Sequence, residues 1–536
     1  GRRAGAPPAD GAFARLHPRV VIVGVAVPAA RIPRWQRDAV DALRRVPGVD
    51  VRVFRCDGAA PIPLGRFTAR VAGAPLAPVE IAIDAVDAGE SDAILDLAGQ
   101  SRLQARSGVW SFQLGRSNDA ALPFAREVMD GDRVVTIALL RRDATAWSVL
   151  RRGQCAIAGS YPATLRMILA QIASWPAIFA AAAVRGARTD AEPAGQPPAA
   201  APLRGIRRAM FPAFVRLRAV ALLARSLVVV DRWNAGLADG TARDVLAGSE
   251  LHVRWLDDPP ARTFVADPFL VERDGVRALF VEQYDYHRDR GVIDALVLGD
   301  GDHVVETHRI LDLATHLSFP HPLEIDGTLY LMPENAAGNE VALYRCVRFP
   351  DVWERETALF PSFDGVDMTV FAHGGRWWAF CTRYSYGATD TLFAYHAPSP
   401  RGPWAAHALN PIVVDVESAR PAGTPFDIDG VLYRSGQDCS RTYGGAITLA
   451  RIDELTPDTY RETRVRRLEA NPAWPYPDGL HTLSFCNGTI ALDAKRTYTD
   501  LRYLSRIVRV FRRRAERRRA QRAARVSAQP SANERA

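Results

Sequence analysis

Five glycines punctuate the C-terminal half of this chain at a nearly regular interval. Gly275, Gly327, Gly375, Gly430 and Gly488 lie 52, 48, 55 and 58 residues apart. Each closes a short polar turn between two apolar runs. Phe269-Leu270-Val271 and Ala278-Leu279-Phe280-Val281 flank the first, and Val370-Phe371-Ala372 and Trp377-Trp378-Ala379-Phe380 flank the third. Asp-Gly and Gly-Gly between apolar runs are hairpin signals, because these turns need positive φ. A period of about 50 residues with several strands per unit predicts the blades of a β-propeller; a solenoid would need shorter, more uniform units. Five copies predict five blades over residues 250–500.

The N-terminal part has a different grammar. Arg19 to Val25 is a continuous apolar run of the kind a buried parallel strand shows. Arg34 to Arg45 has helical spacing, and Val49–Phe54 and Asp92–Leu97 read as further strands. This βαβ order predicts a Rossmann-like α/β domain over residues 19–184. Residues 1–18 read as a flexible arm without the apolar core of a secretory signal. Residues 185–249 read as a linker carrying an amphipathic helix, and 501–536 as a basic C-terminal helix and tail. Met167–Val184 is apolar but contains Gln171, Ser174 and Pro176, and predicts a buried helix. Phe211–Val230 is interrupted by Arg216, Arg218 and Arg225, too charged to span a bilayer. It predicts a helix lying on the protein's own surface; peripheral membrane contact through residues 203–232 or the basic tail is the alternative.

Composition narrows the classes. With 48% hydrophobic and 24% charged residues, the chain is neither mostly disordered nor collagen-like nor a coiled coil. Six scattered cysteines without a Cys-x-x-Cys pair argue for a reducing, cytoplasmic setting and against a zinc cluster. The net charge is +8, but the excess lies in the tail run around Arg512–Arg519, so no nucleic-acid partner is expected. Lys495 is the only lysine; arginine carries the rest of the positive charge.

In a propeller, inner strands surround a central channel, so equivalent positions of successive blades converge on one mouth. The repeat alignment brings together Asp267 and Glu282 from blade one, His321 and Glu334 from blade two, and Asp367 and Arg383 from blade three. Blade four adds Arg420, Gln437, Asp438 and the nearby Tyr443, and blade five adds Asp478 and His481. Carboxylates from separate blades facing one cavity suit glycosidic chemistry, in which one is kept protonated for the leaving oxygen and another ionised to activate water or an acceptor. Asp267, Glu334 and Asp367 are therefore the catalytic candidates. Glu282, His321, Arg383, Arg420, Gln437, Asp438, Tyr443 and His481 are the substrate-binding ones. Arg420 is expected either to pair with Asp438 or to grip an anionic substrate group. No metal-ligand spacing, phosphate loop or nucleophile elbow is present, so neither metal nor cofactor is expected.

Three resemblances attach to these residues. Asp267-Pro268 opening blade one and Asp367 opening blade three resemble glycoside hydrolase family 43. There the first Asp is the base, the second tunes the acid, and a Glu of blade four is the acid; this chain has Arg420 at that last place. Ser318-Phe319-Pro320-His321-Pro322, Met332-Pro333-Glu334-Asn335, Arg420-Pro421-Ala422-Gly423, Gln437-Asp438-Cys439-Ser440, Tyr443-Gly444 and Gly479-Leu480-His481-Thr482 resemble the N-terminal propeller family of glucosamine inositolphosphorylceramide transferases and its bacterial relatives. Gly108–Gln113, Ala125–Asp132 and Thr136–Leu140 resemble the formyltransferase fold, with Gln113 at the place of the family's His. A glutamine does not titrate, so this resemblance implies a degenerate domain. Together they imply a glycan- or glycolipid-processing protein of polysaccharide or glycolipid biosynthesis, glycoside hydrolase-like or glycosyl-transferring, with a carbohydrate or glycolipid substrate. The alternative is a non-catalytic carbohydrate-binding or scaffold protein built from two degenerate enzyme-like domains.

Overall fold

In the computed structural model, Val21–Val27 forms the strand its β-branched run predicts, almost entirely buried. It pairs in parallel with Val49–Arg55 on one side and Ala93–Asp96 on the other. The structure describes residues 20–56, 74–85, 87, 89–99, 102–116, 122–144, 146–157, 160–187, 191–195 and 202–500. The N-terminal arm and the basic tail lie outside them. The chain divides into two compact units. In the first, a seven-stranded sheet runs in the order Val49–Arg55, Val21–Val27, Ala93–Asp96, Val109–Leu114, Val134–Arg142, Trp147–Ala156, Glu192–Ala194. Val109–Leu114 joins Ala93–Asp96 in parallel but Val134–Arg142 antiparallel, so the sheet is mixed. The helix Arg34–Arg44 buries Trp35, Ala39, Val40 and Leu43 at helical spacing.

The apolar stretch Met167–Val184 belongs to two helices, Tyr161–Ile172 and Trp175–Val184, with Pro176 in the first turn of the second, where its missing N–H costs nothing. Tyr161–Val184 is long and apolar enough to cross a membrane, yet 56% of that window is buried inside the protein.

In the second unit, the repeats form a five-bladed propeller of antiparallel blades. Blade one is Thr263–Arg273, Val276–Asp285, Arg290–Leu298 and Val304–Leu311. Blade two is Ser318–Ile325, Thr328–Glu334, Glu340–Arg348 and Val352–Pro361. Blade three is built on Gly365–His373, Arg376–Arg383 and Thr391–Ala397, and blade four on Arg420–Pro421 with Phe426–Ile428, Val431–Asp438, Ala446–Leu455 and Tyr460–Leu468. The fifth blade takes two strands from the end of the propeller, Leu483–Cys486 and Thr489–Thr499. Its other two, Val229–Asp239 and Arg254–Trp255, come from before blade one. Val229 pairs with Thr499 and Asp239 with Thr489, so eleven residues of continuous ladder close the ring. Val229–Asp239 falls within the stretch the sequence reading assigned to a linker. Its near partner, Arg254–Trp255, is only two residues long, and its main partner, Thr489–Thr499, lies about half the chain away.

Candidate functional site at the propeller mouth

The inner strands of blades one, two and three are interrupted at the same place. Pairing slips between Ala266 and Phe269, between Ser318 and His321, and between Val366 and Thr369. Within each slip one residue takes a left-handed backbone: Asp267 (φ 52°), Phe319 (φ 44°) and Asp367 (φ 48°). A bulge re-aims a side chain out of the strand's alternation, and left-handed non-glycine residues concentrate where a site demands them. Aspartate tolerates this conformation better than most residues.

A second ring comes from the neighbouring strands. Glu282 stands opposite Ala266, Glu334 opposite Ser318, Thr382 opposite Val366 and Gln437 opposite Arg420. Asp493 takes the same place in blade five, its N–H donating to the Thr482 carbonyl (3.4 Å). Arg383 is one residue beyond Thr382, and strand alternation sends it to the other face. There it pairs with Asp364 (2.8 Å) and lies 4.7 Å over the Phe363 ring.

Two hydrogen-bonded clusters result. In the first, Asp493 is fully buried and accepts from the backbone N–H of Asp267 (2.8 Å), His481 (3.1 Å) and Thr482 (2.9 Å), and from His481 Nδ1 (2.8 Å). Asp267 accepts from Thr482 Oγ1 (2.6 Å) and Phe319 N–H (3.1 Å), with His481 Nε2 3.6 Å away. Asp267, His481 and Asp493 bring donor atoms within 4.8 Å of one another, a spacing that could hold an ion. The surrounding N–H and O–H groups already occupy these carboxylates. Asp493 was not among the candidates read from sequence. The available signal was its place at the end of the second strand of repeat five, where Glu282 and Glu334 stand in repeats one and two.

In the second cluster, Arg420 grips Asp367 with Nε (2.6 Å) and Nη2 (3.2 Å), and its Nη1 donates to the Ala388 carbonyl (3.2 Å). Gln437 Nε2 donates to the same Asp367 carboxylate (2.8 Å). Glu334 Oε2 accepts from Asp367 N–H (3.3 Å) and lies 3.9 Å from Arg420. Asp438, the partner considered for Arg420, instead accepts from Arg467 (2.8 Å) and Ser440 (2.6 Å). Tyr443, 40% exposed, stacks its ring 5.0 Å from the Arg420 guanidinium and roofs the cluster. Gly444 follows it at φ 55°, where a Cβ would sit 2.6 Å from the Trp233 ring. The chain's only lysine anchors this turn: Lys495, fully buried, donates Nζ to Tyr443 O (2.5 Å), Thr442 Oγ1 (3.0 Å) and Asp231 Oδ2 (3.0 Å). An ammonium satisfies three oxygens around one point, which a planar guanidinium does not.

Burial sets the protonation pattern. It raises Glu334 well above the usual carboxylate range, the Asp367 charge adds to it, and Arg420 offsets only part. Glu282 is raised by burial and then by the charges of Asp267, Glu334 and Asp367. Asp267 rises to about 6, chiefly by burial, against the attraction of His481. Burial would lower His481, but Asp493 and Asp267 outweigh it and the net shift is upward. His321 is fully buried and lowered to about 4, so it stays neutral. Its Nε2 accepts from Val370 N–H (3.1 Å) and its Nδ1 lies 3.2 Å from Thr424 Oγ1, which places it in the wall between blades. Burial thus biases Glu334 and Glu282 toward the protonated form, while Asp267 rises only to about 6.

A carboxyl that binds its proton more readily in the folded state stabilises the fold at low pH. For Asp267 that contribution is complete below 3.8 and is lost as pH rises to about 6. Chemical denaturation between these limits should show stability falling with pH in wild type, with a flatter slope in D267N. Equal slopes would remove Asp267 from the account.

A family model described as the N-terminal region of glucosamine inositolphosphorylceramide transferase 1 matches residues 251–473. The glucosamine inositolphosphorylceramide transferase 1 proteins of Oryza sativa subsp. japonica and Arabidopsis thaliana are each 36% identical to this chain over 208 residues. That stretch is 38% of this chain but only 28% and 27% of those relatives, so the match spans less than a third of their length. Among solved structures, Zg3597, a family 117 glycoside hydrolase of the marine bacterium Zobellia galactanivorans, aligns at 12% identity and TM-score 0.33, covering 51% of this chain and 91% of its own. The catalytic domain of the Coprinopsis cinerea GH62 α-L-arabinofuranosidase aligns at 12% and TM-score 0.34, covering 49% and 96%. Across most of its propeller, then, this chain is similar to the N-terminal region of glucosamine inositolphosphorylceramide transferase 1.

Proposed function

We propose that the propeller mouth binds the sugar of a glycan or glycolipid and carries out acid–base chemistry on it. Glu334 acts as proton donor, Asp267 as proton acceptor, and Asp367 as the group that tunes Glu334. The observation that carries this reading is the pair of environments. Glu334 is buried against the Asp367 carboxylate, which holds it well above the usual carboxylate range, whereas Asp267 rises only to about 6; carboxyls pushed apart in this way divide into acid and base. The similarity to glucosamine inositolphosphorylceramide transferase 1, whose name joins an amino sugar to a phosphoceramide lipid, supports a glycolipid or a related glycan as the substrate class. Tyr443 offers a partly exposed aromatic face at the mouth for a sugar ring. Arg420 has its fork closed on Asp367, which makes it a counter-charge for that carboxylate before it is an anion receptor.

One observation favours a binding-only reading. Arg420 stands where the resemblance to family 43 hydrolases expects the acid, and Asp267 has both oxygens occupied by protein donors. Hydrolysis of a panel of para-nitrophenyl glycosides, with glycan-array binding in parallel, separates the two. If Glu334 is the acid, E334Q loses about 10²–10⁴-fold in turnover while array binding stays near wild type. Binding without turnover in wild type overturns the catalytic assignment and leaves the carbohydrate site. For the N-terminal unit, the formyltransferase resemblance is proposed as a statement of ancestry only, and formyl transfer is not expected with Gln113 in place of a titrating residue.

A further inference from the structure

The helix Gly205–Val228 is 24 residues long and keeps only Phe211 and Val215 buried. Phe211 packs edge-on against Tyr161, with ring centroids 5.1 Å apart. On the other side of the helix, large apolar residues face solvent: Ile206 is 74% exposed, Met210 55%, Leu217 71% and Val220 63%. At roughly 100° per residue, these four and the alanines at 213, 221 and 224 fall within an arc of about 100°. They form one continuous apolar stripe from Ile206 to Ala224, about 27 Å long at 1.5 Å per residue. The borders of the stripe are basic. Arg207 and Arg225 lie on one side and Arg216 on the other, Arg208 and Arg218 stand farther round, and the helix contains no Asp or Glu. Arg207 also reaches Asp130 (2.6 Å), and Arg218 Nη2 donates to the Ile157 carbonyl (3.3 Å), which ties the helix down by its inner side.

An apolar stripe of this length left in water is unfavourable, and unexplained apolar patches mark interaction surfaces. Its charge identifies the partner. A protein groove would cover the stripe but would need acidic rims on both flanks, whereas a negatively charged lipid surface offers an apolar phase beneath an anionic layer, the same order as stripe and arginine border. We infer that the outer face of Gly205–Val228 docks the protein on an anionic membrane surface, lying in the interface plane without crossing it. The inference is independent of the acid–base assignment at the propeller mouth, and a glycolipid substrate would give it a purpose.

The test is co-sedimentation of the full chain with vesicles of phosphatidylcholine alone and of phosphatidylcholine containing one third phosphatidylglycerol. The expected result is binding to the anionic vesicles only, weakening as salt is raised. L217E/V220E changes two solvent-facing side chains and should keep the wild-type melting temperature while binding at least about tenfold more weakly. R216E/R225E should reduce binding to anionic vesicles and its salt dependence together. Binding unchanged in L217E/V220E, or equal binding to both vesicle types, overturns the inference. So does a wild-type dimer in light scattering that L217E/V220E converts to monomer without any vesicle binding, because the stripe would then be covered by a second copy of the chain. Loss of vesicle binding with glycosidase or array activity intact separates this surface from the propeller mouth.

Discussion

R420M should destabilise the propeller by about 3–5 kcal/mol, the range for removing one partner of a buried ion pair. Arg420 and Asp367 are 9% and 2% exposed. With the guanidinium gone, Asp367 keeps Gln437 as a donor but loses the cation that grips it, and Glu334 loses the same neighbour. Urea denaturation followed by tryptophan fluorescence measures the loss. Most of the effect comes from stranding a charge, so D367N/R420M should recover a large part of it, giving a coupling energy well above the few tenths of a kcal/mol expected of independent sites. A loss under about 1 kcal/mol in R420M would mean that water reaches Asp367 and solvates it in place of the arginine.

The second large effect belongs to Asp493. D493A leaves three backbone N–H groups and His481 Nδ1 without their acceptor at a fully buried position. Each stranded donor costs about 1–3 kcal/mol, partly relieved by relaxation, so a total of about 3–5 kcal/mol is expected. The failure should be local first. These donors join blade five to blade one, next to the ladder between Val229–Asp239 and Thr489–Thr499 that closes the ring. Hydrogen exchange should therefore rise in Val229–Asp239 more than in blades two and three. D493N, which keeps one acceptor oxygen, should fall between wild type and D493A. Uniform exchange across all five blades would show that closure does not depend on this carboxylate.

Much of the mouth can be read from residue order because repetition does the work of a contact map. Once Gly275, Gly327 and Gly430 mark equivalent turns, Glu282, Glu334 and Gln437 stand at one offset and must face one side. Asp267 and Asp367 open equivalent strands and meet at the same end. The same counting slipped by one at Arg383: offset seven from Gly375 is Thr382, and Arg383 lies one residue beyond it. A one-residue shift in a strand exchanges faces. It also passed over Asp493, whose hairpin is shorter by two.

Periodicity, turn chemistry and apolar runs are local properties, and they determined that strands and helices alternate in the N-terminal part, that five hairpin repeats follow, and that a basic amphipathic helix lies between. Contacts across the ring are not local. Thr482 reaches Asp267 across 215 residues and Lys495 reaches Asp231 across 264. Only the closed propeller decided that Val229–Asp239 belongs to blade five, that Arg420 answers Asp367 and not Asp438, and that Lys495 holds the turn carrying Tyr443. Each of these depends on which strands become neighbours when the ring shuts, and on the burial that closure imposes. Spacing along the chain specifies the strands and their faces, but the partner that satisfies a buried charge is chosen in three dimensions.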